Sequence, residues 1–168
     1  MPAKLDTENQ LVTSLTDQFK NKIKTEYVIT NRIKVSTSQD NFKNLAIAVK
    51  NLGFEQVISQ GGTDYPDNNV FRLEYHLICV FKKKLRRIMF SIMTEISKDT
   101  PEIDTLIEIF PSAEFHEQET YENFGITFIG HPRKERLLLP EDWDDIPPLR
   151  KDPKLFRCQI KIVFSTSP

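Results

Sequence analysis

The chain has 168 residues, 39% of them hydrophobic and 28% charged, and its 23 basic and 24 acidic side chains leave a net charge of −1. This is the size of one domain, or of one domain with a tail, and the balanced charge excludes a global field that would draw the chain to nucleic acid or an acidic membrane. Two cysteines, Cys79 and Cys158, do not make a disulfide framework, and the longest apolar runs fall far short of the ~20 residues a membrane-spanning helix needs.

The opening "MPAKLDTENQ" carries no hydrophobic leader, so the expectation is a soluble intracellular chain. From about Glu8 to Ile23, the positions Leu11, Val12, Leu15, Phe19 and Ile23 follow helical spacing and predict an amphipathic helix. "NRIKVST" alternates Ile33, Val35 and Thr37 and predicts a strand. Ser38 is then placed to cap a helix over Gln39 to Leu52, with Phe42, Leu45, Ala46, Val49 and Leu52 on one stripe and Gly53 at its end. "FEQVISQ" predicts a strand that stops at the Gly61-Gly62 turn signal.

The plainest β pattern is "VFRLEYHLICVF", which sets Phe71, Leu73, Tyr75, Leu77, Cys79 and Phe81 on one face. "LRRIMFSIMTEI" returns as a second strand with Ile88, Phe90, Ile92, Thr94 and Ile96 together. The cluster "KKKLRR", with Lys82 to Lys84 at the hairpin turn, could as function grip phosphate or an acidic lipid surface; the neighbouring strands and the near-zero net charge favour a turn that lysine keeps soluble and guards against edge pairing. Thr100-Pro101-Glu102 has the order of a helix start and predicts a short helix to about Phe110. Pro111-Ser112 opens another, through "AEFHEQETYENF" to Gly125; "ITFI" reads as a brief strand, and Gly130-His131-Pro132 turns the chain. Six prolines lie from Pro132 to the C-terminus, interleaved with charge, and no regular element is evident there. At the far end Cys158, Ile160, Ile162 and Phe164 alternate, a pattern suited to β pairing. The fold class is α+β: a mostly antiparallel sheet with helices packed on it, over residues 1–130, then an extended Pro-rich C-terminal arm, residues 131–168.

Several chemistries fit the residues from Phe115 to Pro153 poorly. "HEQET" offers His116 and Glu117 but Thr120 where a zinc-binding helix needs its second histidine, and His76 and His131 fall on other elements. Two cysteines are too few for an iron–sulfur cluster, and none of the five glycines forms a phosphate-binding loop. Glu119 and Glu122, three apart on a helix, remain as a carboxylate pair for acid/base chemistry if one has a raised pKa, which gives a stand-alone hydrolase as one alternative.

Taken in order, the same residues are more specific. "E-x-E-x-Y-x-x-F-G-I-x-F-x-G-H-P", Glu117 to Pro132, followed by "RLLLPEDW" and "PLRKD", resembles the 30-kDa subunit family of respiratory complex I, the C-type subunit of NADH:quinone oxidoreductase. The family also has members in chloroplast-type, archaeal and membrane-bound hydrogenase complexes. Gln118 stands where the family usually has arginine, Glu122 where it commonly has aspartate, and of Arg133 to Arg136 only Arg136 matches closely.

The resemblance implies a non-catalytic, peripheral-arm subunit of a proton-translocating complex, with no cofactor, catalytic residue or metal in this chain. Flavin and iron–sulfur clusters would reside in partner subunits. It implies as partners the D-type (49-kDa), B-type and I-type homologues of the same complex, and a peripheral location on the cytoplasmic side of the plasma membrane or its organellar equivalent, with membrane contact only through the complex. The equivalent subunit of a membrane-bound hydrogenase or ferredoxin-linked complex is the alternative within the family. The partner-interface residues it implies are Glu117, Glu119, Tyr121, Phe124, Gly125, Gly130, His131, Pro132, Arg136, Trp143, Leu149, Arg150, Lys151 and Asp152.

Overall fold

A computed structural model of the protein describes residues 6–151 apart from positions 134, 141, 144 and 145. Helix α1 (Asp6–Phe19) and a 3-10 turn at Lys20–Lys22 lead into β1 (Ile23–Ile29), which returns as β2 (Arg32–Thr37). Helix α2 (Gln39–Leu52) then crosses to β3 (Gln56–Tyr65), followed by β4 (Val70–Ile78) and β5 (Met89–Ser97). These five strands form one sheet in the order β1-β2-β5-β4-β3, antiparallel except where β5 lies parallel to β2. A second, two-stranded sheet pairs β6 (Glu102–Asp104) with β7 (Thr127–Ile129) in parallel, and helix α3 (Glu114–Phe124) joins them.

The period-2 pattern of β4 decides which face is inside. Phe71, Leu73, Tyr75 and Leu77 are fully buried, together with Ile33 and Val35 of β2 and Phe90, Ile92 and Ile96 of β5. The apolar stripe of α2, Phe42, Leu45, Ala46 and Val49, closes over this face, and Phe42 meets the Tyr75 ring at 5.5 Å between centroids. Leu15 and Phe19 of α1 join the same core. The other face keeps charges matched across strands: Lys34 pairs with Glu74, and Arg72 with Glu95 at 2.7 Å.

Four expectations need correction. Residue 23 does not end a helix: Lys20 adopts φ 52, the helix stops, and Ile23 begins β1. This strand is hidden in the sequence because a bulge between Thr25 and Tyr27 breaks the alternation. The glycines 61 and 62 do not end β3, which runs on to Tyr65; a Cβ on Gly62 would lie 2.9 Å from the Phe124 ring, so the strand needs glycine there to let α3 approach. Residues 102–104 form a strand rather than a helix, since Ile103 and Thr105 point inward between exposed Glu102 and Asp104. Phe81 leaves the apolar face of β4 and is 82% exposed.

Candidate functional site

Helix α3 carries the family-like run, and its polarity is inside out. Its buried residues are Glu117, Gln118, Thr120, Glu122 and Phe124, while Phe115 and Tyr121 are 53% and 38% exposed. Ordinary amphipathic helices bury the apolar stripe, so each inward polar group here requires a specific partner.

Each has one. Glu117 reaches the core, where Oε1 accepts from the Tyr75 hydroxyl at 3.0 Å and from Leu106 N at 2.9 Å, and Oε2 accepts from Thr105 Oγ1. Burial raises the Glu117 carboxyl above the ordinary range, although Thr105, Leu106 and Tyr75 all pull the other way. Burial and the neighbouring Glu117 charge raise the Tyr75 hydroxyl well above its usual value. Thr120 Oγ1 donates to Gln60 Oε1 of β3 at 2.7 Å, and Gln118 Nε2 to Glu135 O at 2.6 Å. Glu122 accepts the backbone N–H of Leu137 and, at 2.9 Å, that of Leu138.

These bonds draw the start of the arm back onto the body. Gly125 (φ 68) ends α3, and the helix leaves its last carbonyls to be satisfied from outside. Leu149 N donates to Asn123 O at 3.0 Å and Arg150 Nε to Phe124 O at 2.6 Å, which also sets a cation at the helix C-terminus. The Arg150 guanidinium lies over the Phe71 ring at 5.2 Å. Lys151 N donates at 2.7 Å to Asp64 Oδ2, a buried carboxylate of β3 that also holds Lys98 Nζ at 2.8 Å. Arg136 donates to Pro140 O and Trp143 O and closes the turn between them. Through residue 151, then, the described arm is stapled to its own domain rather than projecting from it.

The implied interface residues divide accordingly. Glu117, Phe124 and His131 are buried in this chain, and Gly125 packs against Arg150 and Pro147. His131 sits between two carbonyl oxygens, Nδ1 at 2.8 Å from Arg133 O and Nε2 at 3.0 Å from Glu114 O. Arg150 and Trp143 are half-buried. Exposed are Glu119, Tyr121, Gly130, Pro132, Arg136, Leu149 and Lys151, and Asp152 lies outside the described residues.

Tyr121 stands between two depressions. One, of about 120 Å³, is lined by Glu117, Gln118, His131 and Arg133, and Gln118 Oε1 has no hydrogen-bond partner there. The other, of about 400 Å³, is lined by Glu122, Arg136, Leu139, Trp143 and Pro147. Six of the eleven exposed large apolar side chains among the described residues come from this stretch: Phe115, Tyr121, Ile129, Leu137, Leu138 and Leu149.

The geometry does not support the hydrolase alternative. Glu119 is exposed while Glu122 is buried with its carboxylate committed to two backbone N–H groups, so the two do not share an environment. Among the described residues no three His, Cys, Asp or Glu side chains gather as metal ligands, and no helix is long and apolar enough to cross a membrane. Sequence reasoning missed Tyr75, Thr105 and Asp64 as partners of the run. Tyr75 alone gave a signal, because an inward tyrosine among aliphatics needs a hydrogen-bond partner.

Comparison with known proteins points to one family. The profile described as "Respiratory-chain NADH dehydrogenase, 30 Kd subunit" matches residues 35–157. The C subunit of F(420)H(2) dehydrogenase from Methanosarcina mazei is 31% identical over 72% of this chain and 75% of its own length. The C subunit of NADH-quinone oxidoreductase from Saccharopolyspora erythraea is 39% identical over 60% of this chain, and the J subunit of NAD(P)H-quinone oxidoreductase from Prochlorococcus marinus 37% over 70%. The match spans only 39% of the Saccharopolyspora protein's length. Among solved structures, a chain of the archaeal membrane-bound sulfane sulfur reductase shares the fold with a TM-score of 0.75 at 20% identity, covering 97% of this chain and 96% of that one. A trypsin-resistant fragment of Nqo5 does so with 0.62 at 24% identity, covering 73% and 98%. The chain belongs to the 30-kDa subunit family of respiratory-chain NADH dehydrogenase.

Proposed function

We propose that the chain is a non-catalytic scaffold subunit in the peripheral arm of a complex I-type, proton-translocating oxidoreductase, held to the membrane through the complex. Flavin and clusters reside in other subunits. The observation that carries this reading is the inversion of α3: its buried polar residues are hydrogen-bonded within the chain, while Phe115 and Tyr121 are exposed, as are Ile129, Leu137, Leu138 and Leu149. Exposed aromatic and aliphatic side chains in the same run as exposed Arg133, Arg136 and Lys151 have the composition of a protein interface, with aromatic anchors and charged residues. The D-type (49-kDa) homologue is its partner, with the B-type and I-type homologues adjacent and the cytoplasmic side of the membrane, or an organellar equivalent, as the setting. Glu119, Gly130, Pro132 and Asp152 belong to the same contact.

The relatives are named for different electron donors, NADH, NAD(P)H and F(420)H(2). A second reading, membership in a hydrogenase-type or ferredoxin-linked complex, keeps the same docking face and changes only the neighbours. The test is a tagged purification from gently solubilised membranes with mass spectrometry of what accompanies the chain. Recovery of a 49-kDa homologue supports the scaffold, and a flavin–NADH module or a hydrogenase-type large subunit beside it decides between the readings. A chain recovered alone overturns both. Truncation from Lys151 onward is expected to reduce recovery of the partner while the body stays folded.

A further inference from the structure

At the end of the sheet opposite the arm, β4 and β5 are joined by residues 79–88. The arm reaches Asp64, which pairs with Phe71 at the start of β4, whereas this loop leaves from Ile78, paired with Met89. Val80 to Arg87 reads "VFKKKLRR": five basic residues and no acidic one, leaving 18 basic against 24 acidic elsewhere in the chain. The near-zero net charge therefore conceals a strong local asymmetry.

The loop is built. Cys79, Leu85 and Ile88 are buried and root it in the core. Glu55 Oε1 accepts from Val80 N at 2.7 Å and Phe81 N at 3.2 Å, and Leu85 N donates to Lys82 O at 2.8 Å. Lys82 Nζ caps the C-terminus of α2 by donating to Leu52 O at 2.8 Å, and Arg86 Nε donates to Val80 O at 2.7 Å. One oxygen of Glu55, Oε1, is thus committed to backbone, and no ion pair among the described residues involves Lys82, Lys83, Lys84, Arg86 or Arg87. Within it, Phe81 is 82% exposed, more than any other large apolar side chain described. Edge protection does not account for this, because β4 and β5 are interior strands with neighbours on both sides.

We propose that this loop is a contact site for an anionic lipid surface, with Phe81 entering the headgroup layer and Lys83, Lys84 and Arg87 meeting lipid phosphates. An exposed aromatic among cations without ion pairs supplies the two signals that membrane attachment requires. A stable protein interface buries about 800 Å² on each partner; an exposed stretch of eight residues offers less, whereas a headgroup layer closes around an exposed loop of any shape. The contact is independent of the docking face, and it is weak and reversible by itself, so it orients a chain that the complex already holds near the membrane.

The test is co-sedimentation of the full chain with phosphatidylcholine vesicles, with and without phosphatidylglycerol, at low and high salt. Binding is expected only to the anionic vesicles and is expected to fall with salt. Each cation removed lowers the partition about fivefold, so Lys83→Ala, Lys84→Ala and Arg87→Ala together lower it about a hundredfold. Phe81→Ser weakens binding at unchanged charge, and Phe81→Trp shifts its emission to the blue on vesicles. Removing Lys22, Lys24 and Arg32, three exposed cations elsewhere, leaves binding unchanged. Thermal melts confirm that each variant is folded. No binding by the wild type overturns the proposal, as does equal loss in the two triple variants. If Phe81→Ser binds as the wild type does and polyglutamate displaces the vesicles, the occupant is an acidic polypeptide and the lipid assignment fails.

Discussion

The hydroxyl of Tyr75, on β4, donates to Glu117 Oε1 of α3 at 3.0 Å, and neither side chain reaches solvent. With Thr105 and Leu106 N on the same carboxylate, one residue ties α3 to both the main sheet and the segment after β6. Tyr75→Phe removes one donor from a buried carboxyl acceptor and should cost about 1.5 kcal/mol, read from urea unfolding. A loss near zero would mean that water or another donor takes over the vacated bond.

The same carboxylate sets a pH dependence. Burial raises the Glu117 pKa in the folded chain, so the folded state holds this proton more tightly than the unfolded one. Its contribution to stability is complete below the ordinary carboxylate pKa and is lost as pH rises through the raised value. Glu117→Gln lacks this titration. The stability of the wild type relative to that variant should therefore fall across this window in a pH series of urea melts. A difference that stays flat would show that Glu117 titrates normally.

Gly125 is held at φ 68, and a Cβ there would lie 2.7 Å from Arg150 Nη2 and 3.3 Å from Pro147. Gly125→Ala imposes the left-handed penalty of about 1–2 kcal/mol and pushes Arg150 off the end of α3. The expected result is a lower melting temperature together with faster tryptic cleavage after Arg150. Unchanged cleavage would show that the arm is held without that contact.

Glu122 holds the arm by backbone alone. Glu122→Ala should speed hydrogen exchange at the Leu137 and Leu138 amides while leaving amides in β4 and β5 protected, at a global cost of about 1 kcal/mol. Exchange that accelerates throughout the sheet would mean that the arm and the body unfold as one unit.

Asp64 is fully buried and Lys98 is 20% exposed. Removing one partner strands the other, so Asp64→Ala should cost about 3 kcal/mol. Lys98→Met in that background should recover part of the loss. A double-mutant cycle measures the coupling, and a coupling near zero would leave Asp64 as an anchor for Lys151 N alone.

The sheet was legible where side chains alternate without interruption. Leu73, Tyr75 and Leu77 face one way over several residues, and β4 follows. β1 was missed because its bulge puts Tyr27 and Val28 out of phase, and β6 because three residues carry too little pattern against a Thr-Pro-Glu helix signal. The candidate face was legible as a string of residues but not as a surface. Glu117, Thr120 and Glu122 of α3 face inward, and no local pattern shows that their partners are Tyr75, Gln60 and the backbone of residues 137 and 138. Those contacts are long-range, and only the closed sheet brings them together.

The meeting of Asp64, Lys98 and Lys151 has a temporal meaning. Asp64 arrives with β3, Lys98 just after β5, and Lys151 with the arm. The arm therefore has nothing to seat on until β3, β4 and β5 have paired, and the outward face that it completes with α3 exists only on a finished domain. A chain whose sheet has not closed would lack that clasp and the face beside it.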